Sequence, residues 1–499
     1  MVSAILASAM AFIDSTALNV VLPSLQKSLN ASAADLFWIL NAYLLMLASL
    51  ILIGGSLGDK LGRKKVFMVG ITIFIIGSAA CGLSTSVLLL IVCRIAQGVG
   101  GALMIPGSLS LISASIDQKE RGKAIGTWSA ITTVVTMGGP ILGGALADAG
   151  LWRFIFFINI PIGIIALIVL WLKVPESKDD GADKSLDFAG ALSIAFGLAL
   201  VTFGFLRTPA VGLANWQVYG SLLLGFVFLI AFILIEKNSK NPMMSLGLFA
   251  NKIFSGANAL TFFLYAGLGA GILFLSLNLV QVQGYSQLQS GLTFLPFTIL
   301  MISIARFAGA LADKHGPRLF LIGGPALAGL GLLILSFVKQ TTGPGQYWTT
   351  FFPGIIVFGL GMSFTVAPLT AAVMGSVDDH HSGAASGVNN AMTRIANVFA
   401  NAIFGALAVV FFSAALQKDM SHSQLSWKQQ QMVIATSANL GDAKVPKEFS
   451  EADKKLVQIF LHNSFISAYS KVLRISSALA FMGAIMAVIF IRNKELIRD

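Results

Sequence analysis

Long apolar stretches alternate with short polar breaks from one end of the chain to the other. A helix needs roughly 20 apolar residues to cross a hydrocarbon layer. The pattern predicts fourteen such helices, at about 2–24, 36–57, 66–83, 86–106, 123–149, 153–172, 188–206, 216–235, 254–279, 288–311, 319–338, 348–370, 385–412 and 465–491. Polar linkers at 173–187 and 236–253 set two helices apart from the six before them and the six after. The expected organisation is an N-terminal six-helix half (1–172), a linker region with two additional helices (173–253) and a C-terminal six-helix half (254–499). A hydrophilic segment at 413–464 interrupts the last half and reads as a solvated outer loop, with amphipathic helix around 451–462. The fold class expected is an all-α polytopic membrane protein.

Composition agrees with the pattern. Of 499 residues, 56% are hydrophobic and 11% charged, where soluble domains carry about 25% charged residues. A soluble enzyme, a nucleic-acid binder and a disulfide scaffold are excluded as the main reading. The net charge of +11 is a matter of topology. With both termini cytoplasmic, 18 Lys and Arg fall in inner loops and the tail, against four (Lys27, Arg153, Arg207 and Lys339) in short outer loops. That bias follows the positive-inside rule and favours an even number of crossings. Cys81 and Cys93 sit inside apolar runs and read as free buried thiols. The first residues enter a span with no basic stretch before it and no cleavage site, so no cleaved signal peptide is expected.

The segment GGSLGDKLGRKKVF (54–67) returns as GALADKHGPRLF (309–320), with Asp59 and Asp313 offset by 254 residues. Repeated halves with a site between them are a transporter plan. The first copy holds Gly55, Asp59, Gly62, Arg63 and Lys64. Asp59 is expected at the start of the third span, where a carboxylate suits the positive end of the helix dipole, with Arg63 in reach of Asp117 or Glu120. These residues read as a conformational latch or as a topology anchor. The fourth span carries Arg94-x-x-Gln97-Gly98-x-Gly100-Gly101, and an arginine near mid-membrane costs roughly 2.5–3.5 kcal/mol on insertion scales. No strand precedes GVGG, so a dinucleotide loop is excluded. Gly126, Gly139, Pro140, Gly143 and Gly144 mark the fifth span as a bent helix open to close packing. Asp14, within Asp14-Ser15-Thr16-Ala17-Leu18-Asn19, lies at the depth of Arg94.

With these motifs the chain resembles the major facilitator superfamily, in its fourteen-helix drug:proton antiporter branch, over essentially its whole length. Val135 departs from the antiporter motif, which usually has a glycine there. The resemblance implies proton-coupled export of amphipathic small molecules by alternating access, with both six-helix halves lining a central cavity. It casts Asp14 and Arg94 as the proton-coupling pair, with a static ion pair as the alternative. The fifth-span glycines become the antiporter hinge, and Asn19, Gln97, Arg394, Phe262 and Phe294 become cavity candidates. The C-terminal spans hold no Asp or Glu but do hold Arg306 and Arg394, the latter about 7 Å from the middle of its span at 1.5 Å per residue. Arg394 points to an anionic or zwitterionic substrate group, or else to Asp378, Asp379 or a carbonyl. The alternative readings are a dedicated exporter of one anionic or zwitterionic metabolite, such as a siderophore, and a non-transporting scaffold. No cofactor, no metal site, no enzymatic activity and no nucleic-acid partner are expected. The expected surroundings are the bacterial cytoplasmic membrane, with protons and a small molecule as partners. The chain is expected to act as a monomer, with periplasmic or outer-membrane partners an option.

Overall fold

The structure is a computed structural model that describes residues 1–116, 118–177, 187–239, 242, 244, 246–377, 382–443, 445 and 448–491. Asp117, Asp378, Asp379, His380 and His381 lie outside the described residues, as do the side chains of Asp59, Asp313 and residues 118–126. The chain runs through α1 (Val2–Leu29), α2 (Ala33–Leu61), α3 (Arg63–Leu83), α4 (Val87–Ser115), α5 (Gln118–Asp148), the single turn α6 (Phe154–Phe157) and α7 (Asn159–Lys173). It continues through α8 (Phe188–Val211), α9 (Trp216–Asn238), α10 (Lys252–Gln281), α11 (Gln287–Leu292), α12 (Leu295–His315), α13 (Arg318–Leu335) and α14 (Tyr347–Gly375). It ends with α15 (Ser382–Ser421), α16 (Trp427–Ile434) and α17 (Glu451–Phe490). Among the described residues, thirteen helical stretches are long and apolar enough to cross a membrane, and α5 adds a shorter apolar run, Val134–Asp148.

A membrane offers no water to unpaired backbone groups, and side chains close several of the helix ends. Ser32 and Asp35 exchange hydrogen bonds in a capping box that starts α2. Asn251 accepts from the amides of Ile253 and Phe254 at the start of α10, and Ser450 accepts from Asp453 N at the start of α17. Helices α1–α7 pack on one another, and α10–α17 form a second group joined to the first mainly through α5 against α11 and α2 against α15. Helices α8 and α9 pair with each other, and α8 leans on α2 and α15 across the seam between the groups. Only 17% of the apolar window of α9 is buried, against 72% for α2, so α9 is the peripheral member of that pair.

The bundle has a basic end, at the α2–α3 turn around Gly62, and a far end, at the α1–α2 turn around Asn30. The far end corrects one expectation. Segment 413–464 is a folded cover and not a solvated insert: α15 continues to Ser421, and α16 and a 3₁₀ turn at Ala435–Asp442 follow. Leu425, Val433, Leu440, Phe449 and Val457 are buried in the same apolar core as the spans. Single apolar residues scattered through polar sequence average to a hydrophilic window, which hid this packing. Leu440 has φ 53° and ψ −127°, a costly backbone state for a non-glycine residue. Leu440 lines a small pocket together with Leu22 of α1, Leu36 and Leu40 of α2, and Leu273 and Leu277 of α10.

Candidate functional site

On α1, Asp14 shares a buried face with Ala7, Met10, Ala17 and Leu18, the i−7, i−4, i+3 and i+4 neighbours that helical periodicity stacks together. On α4, Arg94 shares its face with Leu90 and Gln97. The two helices meet on these faces. Asp14, Arg94 and Gln97 are essentially without exposure and form a closed ring. Arg94 Nη1 donates to Asp14 Oδ2 and to Gln97 Oε1 at 2.8 Å, while Gln97 Nε2 donates to Asp14 Oδ1 at 2.9 Å. Arg94 Nε donates to the Ile39 carbonyl of α2 at 3.3 Å, and the guanidinium lies 4.4 Å from the Tyr43 ring centroid. One guanidinium thus holds α1, α2 and α4 together. Cys81 Sγ, a free thiol of α3, lies 3.7 Å from Gln97 Oε1.

The chemistry of the ring follows from its donors. Each carboxylate oxygen of Asp14 accepts one hydrogen bond, so the ionised form is satisfied without water. A proton on Oδ1 would face the Gln97 amide donor against donor, so the amide must turn and Arg94 must find another acceptor. Charge on Asp14 is thereby coupled to the packing of α1 against α4.

At the basic end, Asp59 stands in the last turn of α2 and not at the start of α3, because α2 runs on to Leu61. The N-terminus of α3 is capped by a residue that sequence reading missed. Glu176 accepts from Lys64 N at 3.0 Å and from Lys65 N at 3.1 Å, while Arg63 N donates to Ser177 O. Gly62 has φ 110°, a backbone state that favours glycine, and a Cβ there would come within 2.7 Å of the Glu176 carboxylate, which would have to shift. Gly55 faces Pro106 of α4. The expected contacts of Arg63 with Asp117 or Glu120 fall outside the described side chains.

At the far end, the α5 motif meets both groups of helices. Gly139 and Gly143 lie against Thr16 and Ala17 of α1, and Gly144 lies against the backbone of Gln287 and Leu288 in α11. Gly291 of α11 lies against the Pro140 carbonyl, where a Cβ would collide. Asp148, the last residue of α5, accepts from Gln287 N at 2.8 Å and Leu288 N at 2.9 Å. Gln287 Nε2 donates to Ser24 Oγ at 2.6 Å, and Gln281 Nε2 donates to Gln26 Oε1 at 2.9 Å. The backbone of Gly126 falls within α5, away from this seal. Helix α12 continues from α11 toward the basic end with few contacts to α5.

The cavity candidates do not gather in one place. Gln97 belongs to the buried ring, while Asn19 is half-buried on α1. Phe262 packs edge-on against Phe399 of α15, with centroids 6.2 Å apart, and Phe294 is buried at the start of α12. Arg394 lies where α15 meets α2 and α10. Its neighbour Ala391 packs into the cluster of Met10, Tyr43 and Leu47, and the charge of Arg394 acts on Tyr43 and Tyr265. Sequence reading also gave Arg153 no role. Its guanidinium lies over Trp152 and donates to the Gly82 carbonyl at the end of α3 at 2.9 Å, where a cation suits the helix dipole. Fully buried Asn41 has no hydrogen-bond partner among the described residues, and sequence reading offered no signal for it.

The family model of the Major Facilitator Superfamily matches residues 4–401. The chain belongs to the Major Facilitator Superfamily. It is a multi-pass membrane protein of this superfamily's transporter class. Among curated proteins it is 28% identical over 490 residues to the tetracenomycin C resistance and export protein of Streptomyces glaucescens, covering 97% of this chain and 90% of that one. It is 31% identical over 415 residues to the multidrug resistance protein Stp of Mycobacterium tuberculosis, covering 83% and 76%. Among solved structures, the superfamily fold is shared with a bacterial homolog of the human lysosomal transporter Spinster, at a TM-score of 0.66 and 19% identity over 97% of this chain and 96% of that chain.

Proposed function

We propose that the chain is a proton-coupled exporter of amphipathic small molecules, working by alternating access between α1–α7 and α10–α17. The observation that carries this reading is the buried Asp14–Arg94–Gln97 ring, a titratable group that links protonation to the packing of helices α1, α2 and α4. An intramembrane carboxylate is costly to retain without a function. The export and multidrug-resistance names of the relatives support export of drug-like small molecules. In this reading the basic end is cytoplasmic, α5 supplies the fourteenth crossing, and the seal of α5 on α11 closes the outer side. Asp59, Arg63, Lys64 and the acidic residues Asp117 and Glu120 act as the cytoplasmic latch. Asp59→Asn is expected to abolish transport while leaving membrane insertion intact, and unchanged transport would remove the latch. The test of the whole reading is cargo-evoked proton flux in everted vesicles across a broad panel of amphipathic compounds. Flux with at least one compound is expected, and none with any would favour a non-transporting role. A dedicated exporter of one anionic metabolite is the second reading, favoured by Arg394 in spans that carry no acid.

A further inference from the structure

Basic side chains in the C-terminal helices differ in what they meet. Lys471 Nζ lies 5.2 Å from the Phe411 ring and the Arg474 guanidinium lies 5.2 Å from the Phe337 ring, while Arg306 is exposed on α12. Arg394 is different. It is partly buried at the junction of α15, α2 and α10, and among the described residues no carboxylate, carbonyl or amide hydrogen-bonds to it. Asp378 and Asp379 precede α15, and Arg394 stands twelve residues beyond its first residue. That is about 18 Å along the axis at 1.5 Å per residue, well inside α15, while Asp378 and Asp379 lie outside the described residues. Among the described residues, the five N–H donors of this permanent cation have no hydrogen-bond acceptor.

The surroundings narrow what would dock on Arg394. Residues 390, 394, 397 and 401, three asparagines and Arg394, follow a four-three-four spacing along one face of α15. Asn397 Oδ1 lies beside Gly269 of α10. The surroundings include aromatic rings, those of Tyr43 on α2 and Tyr265 on α10. Asp14 and Arg94 cancel each other's charge, whereas Arg394 has no carboxylate partner among the described residues. A guanidinium presents two parallel donors that match a planar carboxylate better than any neutral group.

The geometry points to Arg394 as the specificity-determining residue of the export site, which takes an aromatic, amphipathic carboxylate whose anionic group docks on the Arg394 guanidinium. This assignment rests on the export reading for the direction of movement but not for binding itself. Cargo charge is then selected by the C-terminal helices and the proton is handled by the N-terminal ones.

The test is equilibrium binding by purified full-length protein in detergent, with radiolabelled 2-naphthoate as probe. Neutral 2-naphthol and cationic 2-naphthylmethylammonium serve as competitors of the same ring size. The carboxylate is expected to bind at least about tenfold more tightly than either isostere. Arg394→Gln is expected to bring all three to parity. Arg394→Lys keeps the charge without the fork and should retain part of the preference, which guards against misfolding of the first variant. Asp14→Asn should keep the full preference. Absence of naphthoate binding at millimolar concentration, equal binding of the three probes by wild type, or a preference that survives in Arg394→Gln would each overturn the assignment. A preference intact in binding but with no pH-driven flux in proteoliposomes would uphold the assignment and remove the export reading instead.

Discussion

Arg94 and Arg394 are both permanent cations within the apolar part of the bundle, and their surroundings are opposite. Arg94 has a carboxylate, an amide oxygen, a backbone carbonyl and an aromatic face. Arg394 has tyrosines nearby and no hydrogen-bond acceptor among the described residues. A fully satisfied charge in a low-dielectric interior is a structural and titrating element, because moving either partner strands the other. A cation without a paired acceptor can take one from a bound molecule. On the proposed reading, the difference assigns proton handling to α1 and α4 and cargo recognition to α15.

The comparison predicts very different costs for removing each charge. Arg94→Gln strands Asp14 among apolar helices and is expected to lower stability by about 3–5 kcal/mol, the range for breaking a buried pair. Thermal unfolding in detergent reads this directly, and a near-wild-type transition would mean that the ring is dispensable. A smaller effect is expected where the two helix groups meet. Asp148→Ala removes an acceptor from two amides of α11 and should weaken the far-end seal by about 1 kcal/mol, or roughly fivefold in the balance between states. Labelling of Ser290→Cys by an impermeant maleimide should speed up by that factor from the far side, with the native Cys81 and Cys93 buried. An unchanged rate would show that the α5–α11 glycine packing closes the seal alone. The smallest effect is expected for Arg394→Gln. With no bonded partner to strand, its stability should stay within about 0.5 kcal/mol of wild type or rise. A loss comparable to that of Arg94→Gln would erase the distinction between the two arginines.

Much of this was legible in the chain. The apolar runs fall on the helices, and the matched depth of Asp14 and Arg94 anticipated their contact, because two strong signals act over one helix each. Gln97 was read as a cavity group, and the structure adds that its amide closes the ring; spacing places it on the face of Arg94 but does not say which way that face turns. Glu176 capping α3 and Asp148 capping α11 were not legible. Each joins residues more than a hundred positions apart, and a carboxylate in a loop looks the same whether it meets a helix end or water. Leu440 was hidden for a third reason. Its role depends on a strained backbone and on a pocket assembled from three helices of both groups, and neither leaves a periodic trace. Asp59 was displaced by a boundary shift of a few residues, which carried it from the start of one helix to the end of another.

The claim on which the rest depends is that Asp14 couples the proton to export. The direct measurement is cargo movement in proteoliposomes under an imposed pH gradient, with valinomycin holding the membrane potential at zero. For one proton per cargo molecule, wild type should accumulate cargo up to about tenfold per pH unit. Asp14→Asn, which keeps an oxygen acceptor for Arg94, should still bind cargo and exchange it downhill but should show no accumulation. Uphill accumulation by Asp14→Asn at the wild-type rate would contradict the account and leave the Asp14–Arg94–Gln97 ring a structural clasp.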